Sequence, residues 1–441
     1  MLLQLLPLLL GSGLQGDEAA AVEGWRCRRY CRPIPAADGS AGSEVTVYEK
    51  NAKLAAETSY GPAGVTMWKQ VKKGTNFDTT DIASGGVSGA LAFVEGAAWN
   101  FFTKDPKREE IMENARKAYM EFLKVNPAAR NITSDDGLLY VLNEELFKAN
   151  KTAFKDDKSM AFYTKAEFEK SKLYSPMFEG CSYFGILHSK EEGSVDPHRF
   201  VNFLGKTVQT LGGRIFTGAM VEKVAENAEK VTVHVKGQQP AQFDTCVVAL
   251  GVAAHPGSFL EASGFKDSVS EIYGVKGYTL TAQMPKNFLT YGVVDAMETR
   301  FIRPYTDCSG NFCVRVGGLA DPYDAKDPFK VDWNRVEDFR KNQFAKKIFE
   351  KGQVAGKGKS SDGWDSTHDC KVEAGKIEVW TGIRPVNKNA RAPVYRWVKD
   401  SKRVMIVSGF GSNGFVMCWH TGPRIAALFE QDCSLDCKPL K

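Results

Sequence analysis

The sequence predicts an α/β fold with α+β elements, on three observations. Leu2–Leu10 is an apolar run that ends in Gly11-Ser12-Gly13-Leu14-Gln15-Gly16. Glu44–Lys50 alternates polar and apolar residues as a half-buried strand does, and Asp244–Gly251 is an acid followed by a continuous apolar run that stops at a glycine. The glycine spacing is that of a Rossmann-type dinucleotide-binding turn. Gly11 permits the tight turn out of the strand, Gly13 lets the backbone approach a pyrophosphate, and Gly16 lets the next helix pack close to the sheet. The helix amino terminus then offers free N–H groups and a positive dipole end to phosphates. Glu49, closing the alternating strand, is the type of acid that hydrogen-bonds an adenosine ribose. Its spacing departs from the usual pattern. Such an acid follows the glycines by about 20 residues, whereas Glu49 follows Gly16 by 33, across an Arg-, Pro- and Gly-rich stretch from Trp25 to Ser43. The helix after the glycines shrinks to Asp17–Glu23, and Pro7 stands inside the first strand, where it removes a ladder hydrogen bond.

A chain of 441 residues exceeds what one core organises, so two domains are expected. The balance of 43% hydrophobic and 25% charged residues is that of a soluble globular protein, and a net charge of +5 is too diffuse for a nucleic-acid footprint. Ten cysteines are too dilute for a disulfide scaffold, and the apolar surroundings of Cys246, Cys313 and Cys418 predict buried free thiols. The Cys27/Cys31 and Cys433/Cys437 spacings suit zinc but have no completing pair, so no metal site is expected. Residues 1–16 also admit reading as a secretory signal. Against that reading, no positive charge precedes the apolar run, and its end coincides with the glycine turn. No other segment approaches the ~18 apolar residues of a membrane span. The expectation is a soluble cytoplasmic or organellar protein, with membrane association at most peripheral.

Four further blocks follow in order. The first is Glu57-Thr58-Ser59-Tyr60-Gly61-Pro62-Ala63-Gly64, directly after the Glu44–Lys50 strand. The second is Gly193-Ser194-Val195-Asp196-Pro197-His198-Arg199-Phe200, in which Asp196 as N-cap and Pro197 at the first helical position mark a helix start. Strand-like Gly212–Phe216 and Ala219–Val224 follow it, and Asp244–Gly251 is the third block. The fourth joins Trp380-Thr381-Gly382-Ile383-Arg384-Pro385-Val386 to Val404–Ser408 and Gly409-Phe410-Gly411-Ser412-Asn413-Gly414-Phe415. From about Gly42 to Phe429 the chain resembles the D-amino acid dehydrogenase branch of the FAD-dependent D-amino acid oxidase superfamily. It departs from the family pattern in two places: Pro62 replaces the usual Asn, and Asn387–Tyr395 lacks the Asp-Gly turn that usually follows the R-P pair.

The resemblance implies FAD held by a domain made of residues 1–90, 191–265 and 373–430. A substrate domain of residues 91–190 and 266–372, built on a mixed sheet, would be interleaved with it, leaving a tail of 431–441. Gly11, Gly13, Gly16, Glu49, Thr58, Ser59 and Gly64 would line the dinucleotide and flavin. Val221 would meet adenine through its backbone, Gly251 would permit close approach, and Gly411, Ser412, Asn413, Gly414 and Phe415 would turn N–H groups to the flavin pyrimidine ring at a helix start. Arg384 matches the family's carboxylate-binding arginine, and Tyr278, in a strand similar to the family's GYSLT, is a second pocket candidate. His188 is a weaker one, while His198 reads as a helix-surface residue. The helical reading of Glu95–Asn150, with Ile111, Ala115, Ala118 and Phe122 on one face, places that segment over the flavin. The implied activity is oxidation of the C–N bond of a small D-amino acid, with electrons passed to a quinone or other carrier. A glycine- or sarcosine-type amine oxidase using oxygen stands beside it, as does a divergent family member that acts as a binding protein.

Overall fold

The computed structural model describes residues 44–54, 64–69, 71, 73, 106–134, 136–254, 259–265, 272–298, 300–322, 329–354, 371–387 and 393–431. The glycine turn at Gly11, Gly13 and Gly16, and the residues Thr58, Ser59 and Pro62, lie outside them.

One half of the structure is built on two parallel strand pairs, Thr46–Tyr48 with Arg214–Phe216 and Cys246–Val248 with Val404–Ser408. Val394–Trp397 adds an antiparallel edge to the second pair. Val47, Met405 and Val407 meet in one core, with Ile215 and Val247 packed against it, so both pairs belong to one layered body. Three helices cover this layer. Asp196 accepts from Arg199 N at 3.1 Å and Pro197 opens the helix Pro197–Thr210, as the sequence predicts. That helix buries Phe200, Val201, Leu204 and Val208 at helical spacing. Helix Gly414–Gln431 packs on helix Pro106–Val125. Between the three helices Tyr119, Phe122, Phe200, Phe415 and Trp419 form an aromatic cluster with ring centroids 4.9–6.4 Å apart. Tilted and edge-on pairs of this kind add about 0.5–1.5 kcal/mol each beyond area burial.

This packing corrects the expectation for Glu95–Asn150. The apolar stripe exists, with Ala115 and Phe122 buried and Ile111 and Ala118 packed against the core. It faces helix Gly414–Gln431, not a substrate cavity, because its aromatic residues find their partners there. The segment is not helical throughout either: Leu138–Leu142 is a fully buried strand, as its unbroken LLYVL apolar run suits.

The other half is a nine-stranded mixed sheet. Its spatial order is Gln353–Val354, Lys376–Asn387, Ile272–Gln283, Phe312–Pro322, Arg300–Thr306, Gly292–Asp295, Leu138–Leu142, Gly185–Ser189, Met160–Thr164. Its longest seam pairs Ile272–Ala282 with Asn387–Ile377, without a register shift. Alternation gives the sheet two distinct faces. One face carries Leu139, Ile186, Tyr278, Leu280, Ile302, Val314, Val316 and Ile377, and is covered by Phe168, Phe178, Val336, Phe339, Phe344 and Phe349 from short helices. The opposite face carries Thr279, Thr281, Arg303, Tyr305, Arg315, Trp380 and Arg384, and it turns toward the parallel-strand half.

Cys181, Cys246, Cys313 and Cys418 are free, as expected for the last three, whereas Cys308 is disulfide-bonded. Among the described residues no helix is long and apolar enough to cross a membrane.

Trp419 is 2% exposed and touches four aromatic rings. Trp419→Ala should cost about 3–5 kcal/mol, read in urea unfolding as a lower midpoint at unchanged slope. A midpoint within experimental scatter of the parent would show that the cluster does not hold the three helices together.

Candidate active site

Parallel strands leave their carboxyl ends on one side of the sheet, and ligands bind in the crevice outside those ends. Glu49 follows the strand Thr46–Tyr48, Gly251 follows Cys246–Val248, and Gly409 follows Val404–Ser408. The structure brings these ends into contact with the loops expected beside them. Glu49 O accepts from Ala219 N at 2.9 Å, which seats the start of Val221–Glu226 over the end of the first strand. The Glu49 carboxylate takes both of its contacts on Oε1, from Asn51 N and Asn51 Nδ2 at 2.9 Å each. Oε2 makes none among the described residues, so an oriented acceptor remains for a ribose hydroxyl. Ser408 Oγ donates to Gly251 O at 2.8 Å and locks the second and third strand ends together.

The glycines at these ends are required by conformation. Gly251, Gly409 and Gly411 have φ of +60°, +79° and +57°, the region that side chains with a Cβ rarely adopt. Among the described residues a Cβ at Gly251 would meet nothing within 4 Å and one at Gly411 would meet only Val386 Cγ2 at 4.0 Å, so none of them crowds either backbone. Gly411–Asn413 forms a single 3-10 turn that runs into the helix Gly414–Gln431. That arrangement places a helix amino terminus, with its positive dipole end, at the carboxyl end of the strand. Gly64 has φ +70°, accepts from Val195 N at 2.7 Å, and stands where the sheet meets the helix Pro197–Thr210.

Arg384 is carried to this crevice by the strand Lys376–Asn387. Val386 and Phe410 form an antiparallel bridge, so Arg384 sits two residues from the start of the Gly411 loop. Its Nη1 donates to Leu319 O at 2.9 Å and its Nη2 to Gly318 O at 3.4 Å. Those carbonyls are available because Phe312–Pro322 bulges there. Lys276 pairs with Asp321 while Tyr278 pairs with Gly318, and Leu319 adopts φ +58°. A left-handed leucine costs about 1–3 kcal/mol, and here it directs two carbonyls at the guanidinium. On the other side a Cβ at Gly277 would collide with the guanidinium, so Gly277 lets Arg384 lie flat on the sheet. Burial draws the Arg384 pKa down to about 10, against the pull of Asp321, and it remains a cation at neutral pH. Two of its five N–H groups are tied down; the half-buried remainder makes no hydrogen bond among the described residues, leaving an edge for a carboxylate.

Tyr278 does not join this site, which corrects the sequence reading. It is 1% exposed in the helix-covered core, opposite Thr381 and therefore on the other face of the sheet from Arg384. Burial and Asp321 push its hydroxyl pKa well up. His188 lies on that same covered face, edge-on to Tyr291 at 5.9 Å, with its pKa lowered by burial. His198 is half-buried on its helix beside Asn202.

The sequence reading missed what surrounds Arg384. Trp380 lies over Gly382, where a Cβ would collide with the indole, and Gly382 pairs directly with Gly277. The indole and the guanidinium thus lie side by side on a glycine floor. Thr279, opposite Trp380, is 4% exposed, and among the described residues its Oγ1 has no hydrogen-bond partner. An orphaned hydroxyl on this face, uncrowded glycine backbones and a helix start at the strand ends together fit a flavin nucleotide laid across the junction. The signal for these residues was period-2 placement of Thr279, Trp380 and Gly382 on the Arg384 face, readable only once strand pairing is known.

The family described as FAD-dependent oxidoreductase (DAO) matches residues 36–428. The chain has no match among the curated proteins. Glycine oxidase from Bacillus cereus ATCC 14579 is similar in structure with a TM-score of 0.60 at 16% identity, over 88% of this chain and 90% of that one. Iminodiacetate oxidase from Chelativorans sp. BNC1 follows at 0.59 and 14%, over 88% and 89%. L-proline dehydrogenase from P. horikoshii gives 0.55 and 13%, over 88% and 94%. At these identities the likeness is one of fold, and the match over most of the sequence is what places the chain in the DAO family of FAD-dependent oxidoreductases.

Proposed function

We propose that the chain oxidises the Cα–N bond of a small D-amino acid, giving an imino acid that hydrolyses to a keto acid and ammonia. The observation that carries this reading is the Val386–Phe410 bridge, which holds the Arg384 fork beside the Gly411–Gly414 loop. Bound FAD supplies the acceptor for the hydride that leaves Cα. The protein's own residues do the rest. Arg384 grips the substrate carboxylate by charge-assisted hydrogen bonds, and the Leu319 and Gly318 carbonyls keep its fork from turning away. Fixing the carboxylate fixes where Cα–H lies, which is the main contribution a protein makes to a hydride transfer. The helix amino terminus that begins at Gly414 and Phe415 would favour negative charge on a flavin ring held beside it. Glu49 Oε2, Val221 and Gly251 hold the nucleotide end. Gly11, Gly13, Gly16, Thr58, Ser59 and Ser412 complete the cradle in this reading. A quinone or other carrier takes the electrons onward. Glycine oxidase among the structural neighbours supports a second reading, an amine oxidase that reduces oxygen.

Three measurements test the scheme. Anaerobic addition of D-alanine should bleach the flavin absorbance, while L-alanine, glycine and sarcosine should bleach it slowly or not at all. Bleaching by glycine or sarcosine alone, with peroxide released in air, would move the chain to the second reading.

Arg384→Met should raise KM for the amino acid about tenfold or more with flavin content kept. Gly277→Ala should do the same in part, by displacing the fork. Unchanged KM in both would remove Arg384 from the site.

Glu49→Ala should weaken FAD about tenfold, from loss of one hydrogen bond to a charged group, measured by titrating apoprotein with FAD. An unaltered affinity would detach Glu49 from the ribose.

A further inference from the structure

The sheet face that carries Arg384 holds a second cationic feature toward its far end. Arg303 and Arg315 stand directly opposite each other on neighbouring strands, 2% and 5% exposed. Both guanidiniums lie against the ring of Tyr305, at 5.1 and 4.7 Å from its centroid. Arg315 is held in place: its Nε donates to Thr281 Oγ1 at 3.1 Å, and its Nη2 reaches the Tyr305 hydroxyl at 3.5 Å. Arg303 is not. Among the described residues its Nε and Nη2 have no hydrogen-bond partner, and the Asp196 carboxylate stands off at 4.0 Å, beyond hydrogen-bonding reach. The other oxygen of Asp196 accepts from Arg199 N as the helix cap.

Like charges directly opposite in a sheet repel, and a buried charge with unfilled donors is among the costlier features a fold can carry. Burial and Arg315 both pull the Arg303 pKa down, to about 10, so the repulsion acts on charged groups at neutral pH. Against burial, Arg303 and Arg315 hold the Asp196 carboxyl below its ordinary range. Glu378 lies on the same cross-strand row, beyond Thr281, where it acts on Tyr305 and Cys313. Neither acid fills the donors of Arg303.

We propose that Arg303 and Arg315, over Tyr305, form a binding site for a small free oxyanion of carboxylate size, separate from the Arg384 clamp. Arg315 shares a cross-strand row with Thr281 and Glu378, and Glu378 is six residues from Arg384 along one strand, about 20 Å. A small amino acid does not span that distance, so the anion is not the other end of a substrate held by Arg384. Its place is the junction itself, where Arg303 touches Gly64 and faces the N-cap of helix Pro197–Thr210. An anion there would cancel the guanidinium repulsion and tie the sheet to the parallel-strand half.

The test is thermal unfolding of the FAD-loaded protein with formate titrated at constant ionic strength against sodium HEPES, whose anion is too large for the site. The parent should show a saturable rise in Tm of a few degrees. Arg303→Met should abolish the rise and, without formate, melt no lower than the parent, because an apolar stem replaces an unpaired charge. Asp196→Asn, which keeps the helix cap and removes the competing carboxylate, should reach half-saturation at lower formate. A flat titration of the parent overturns the site on its own. An Arg303→Met protein that melts lower with and without formate also overturns it, making Arg303 the ion-pair partner of Asp196. Because the readout is stability and not turnover, the result does not depend on which amine the enzyme oxidises.

Discussion

The structure depends on one strand that belongs to both halves. Lys376–Asn387 runs through the mixed sheet in unbroken register with Ile272–Gln283, then reaches the parallel-strand half where Val386 bridges Phe410. A hydrogen-bonded ladder is stiff, and its side chains alternate strictly. The position of Arg384 is therefore set by backbone pairing on one side and by the bridge on the other, with little freedom left to the side chain. A strand shared between the two bodies fixes Arg384 more firmly than a loop would.

Three departures from regular geometry gather around the same point. The bulge at Leu319, the left-handed turn at Gly411 and the glycine pair Gly277/Gly382 each sacrifice local stability. Each is explained by what it leaves room for: two carbonyls aimed at a guanidinium, a helix amino terminus at the end of a strand, and a floor on which Arg384 and Trp380 lie flat. The covered face of the same sheet, packed with Phe168, Phe178, Phe339, Phe344 and Phe349, shows no such departures beyond the shared bulge. Regular packing there and irregular backbone opposite is the pattern of a sheet that is core on one side and working surface on the other.

The electrostatics follow the same division. The strand ends present a helix amino terminus and the Glu49 carboxylate. The sheet contributes cations. Arg384 is partly satisfied by carbonyls and open at its edge, whereas Arg303 is closed off with donors unfilled among the described residues.

Local chemistry was legible in the sequence. Asp196 and Pro197 start a helix because a carboxylate caps N–H groups and proline needs no donor there. Gly409 to Gly414 end a strand and open a helix because positive φ excludes side chains. These are decisions made within a few residues, and the family pattern across the chain rests on them. What the sequence left open was which face a residue takes and which distant segment it meets. Tyr278 and Arg384 fall on opposite faces through the parity of a pairing across a hundred residues, and the Arg303–Arg315 pair exists only once two strands are aligned in register. The helix Pro106–Val125 went to the parallel-strand half because Phe200, Phe415 and Trp419 from remote sequence supplied its aromatic contacts. Period alone says that a stripe is buried, not against what, since hydrophobic burial is indifferent to partner until shape and register choose one.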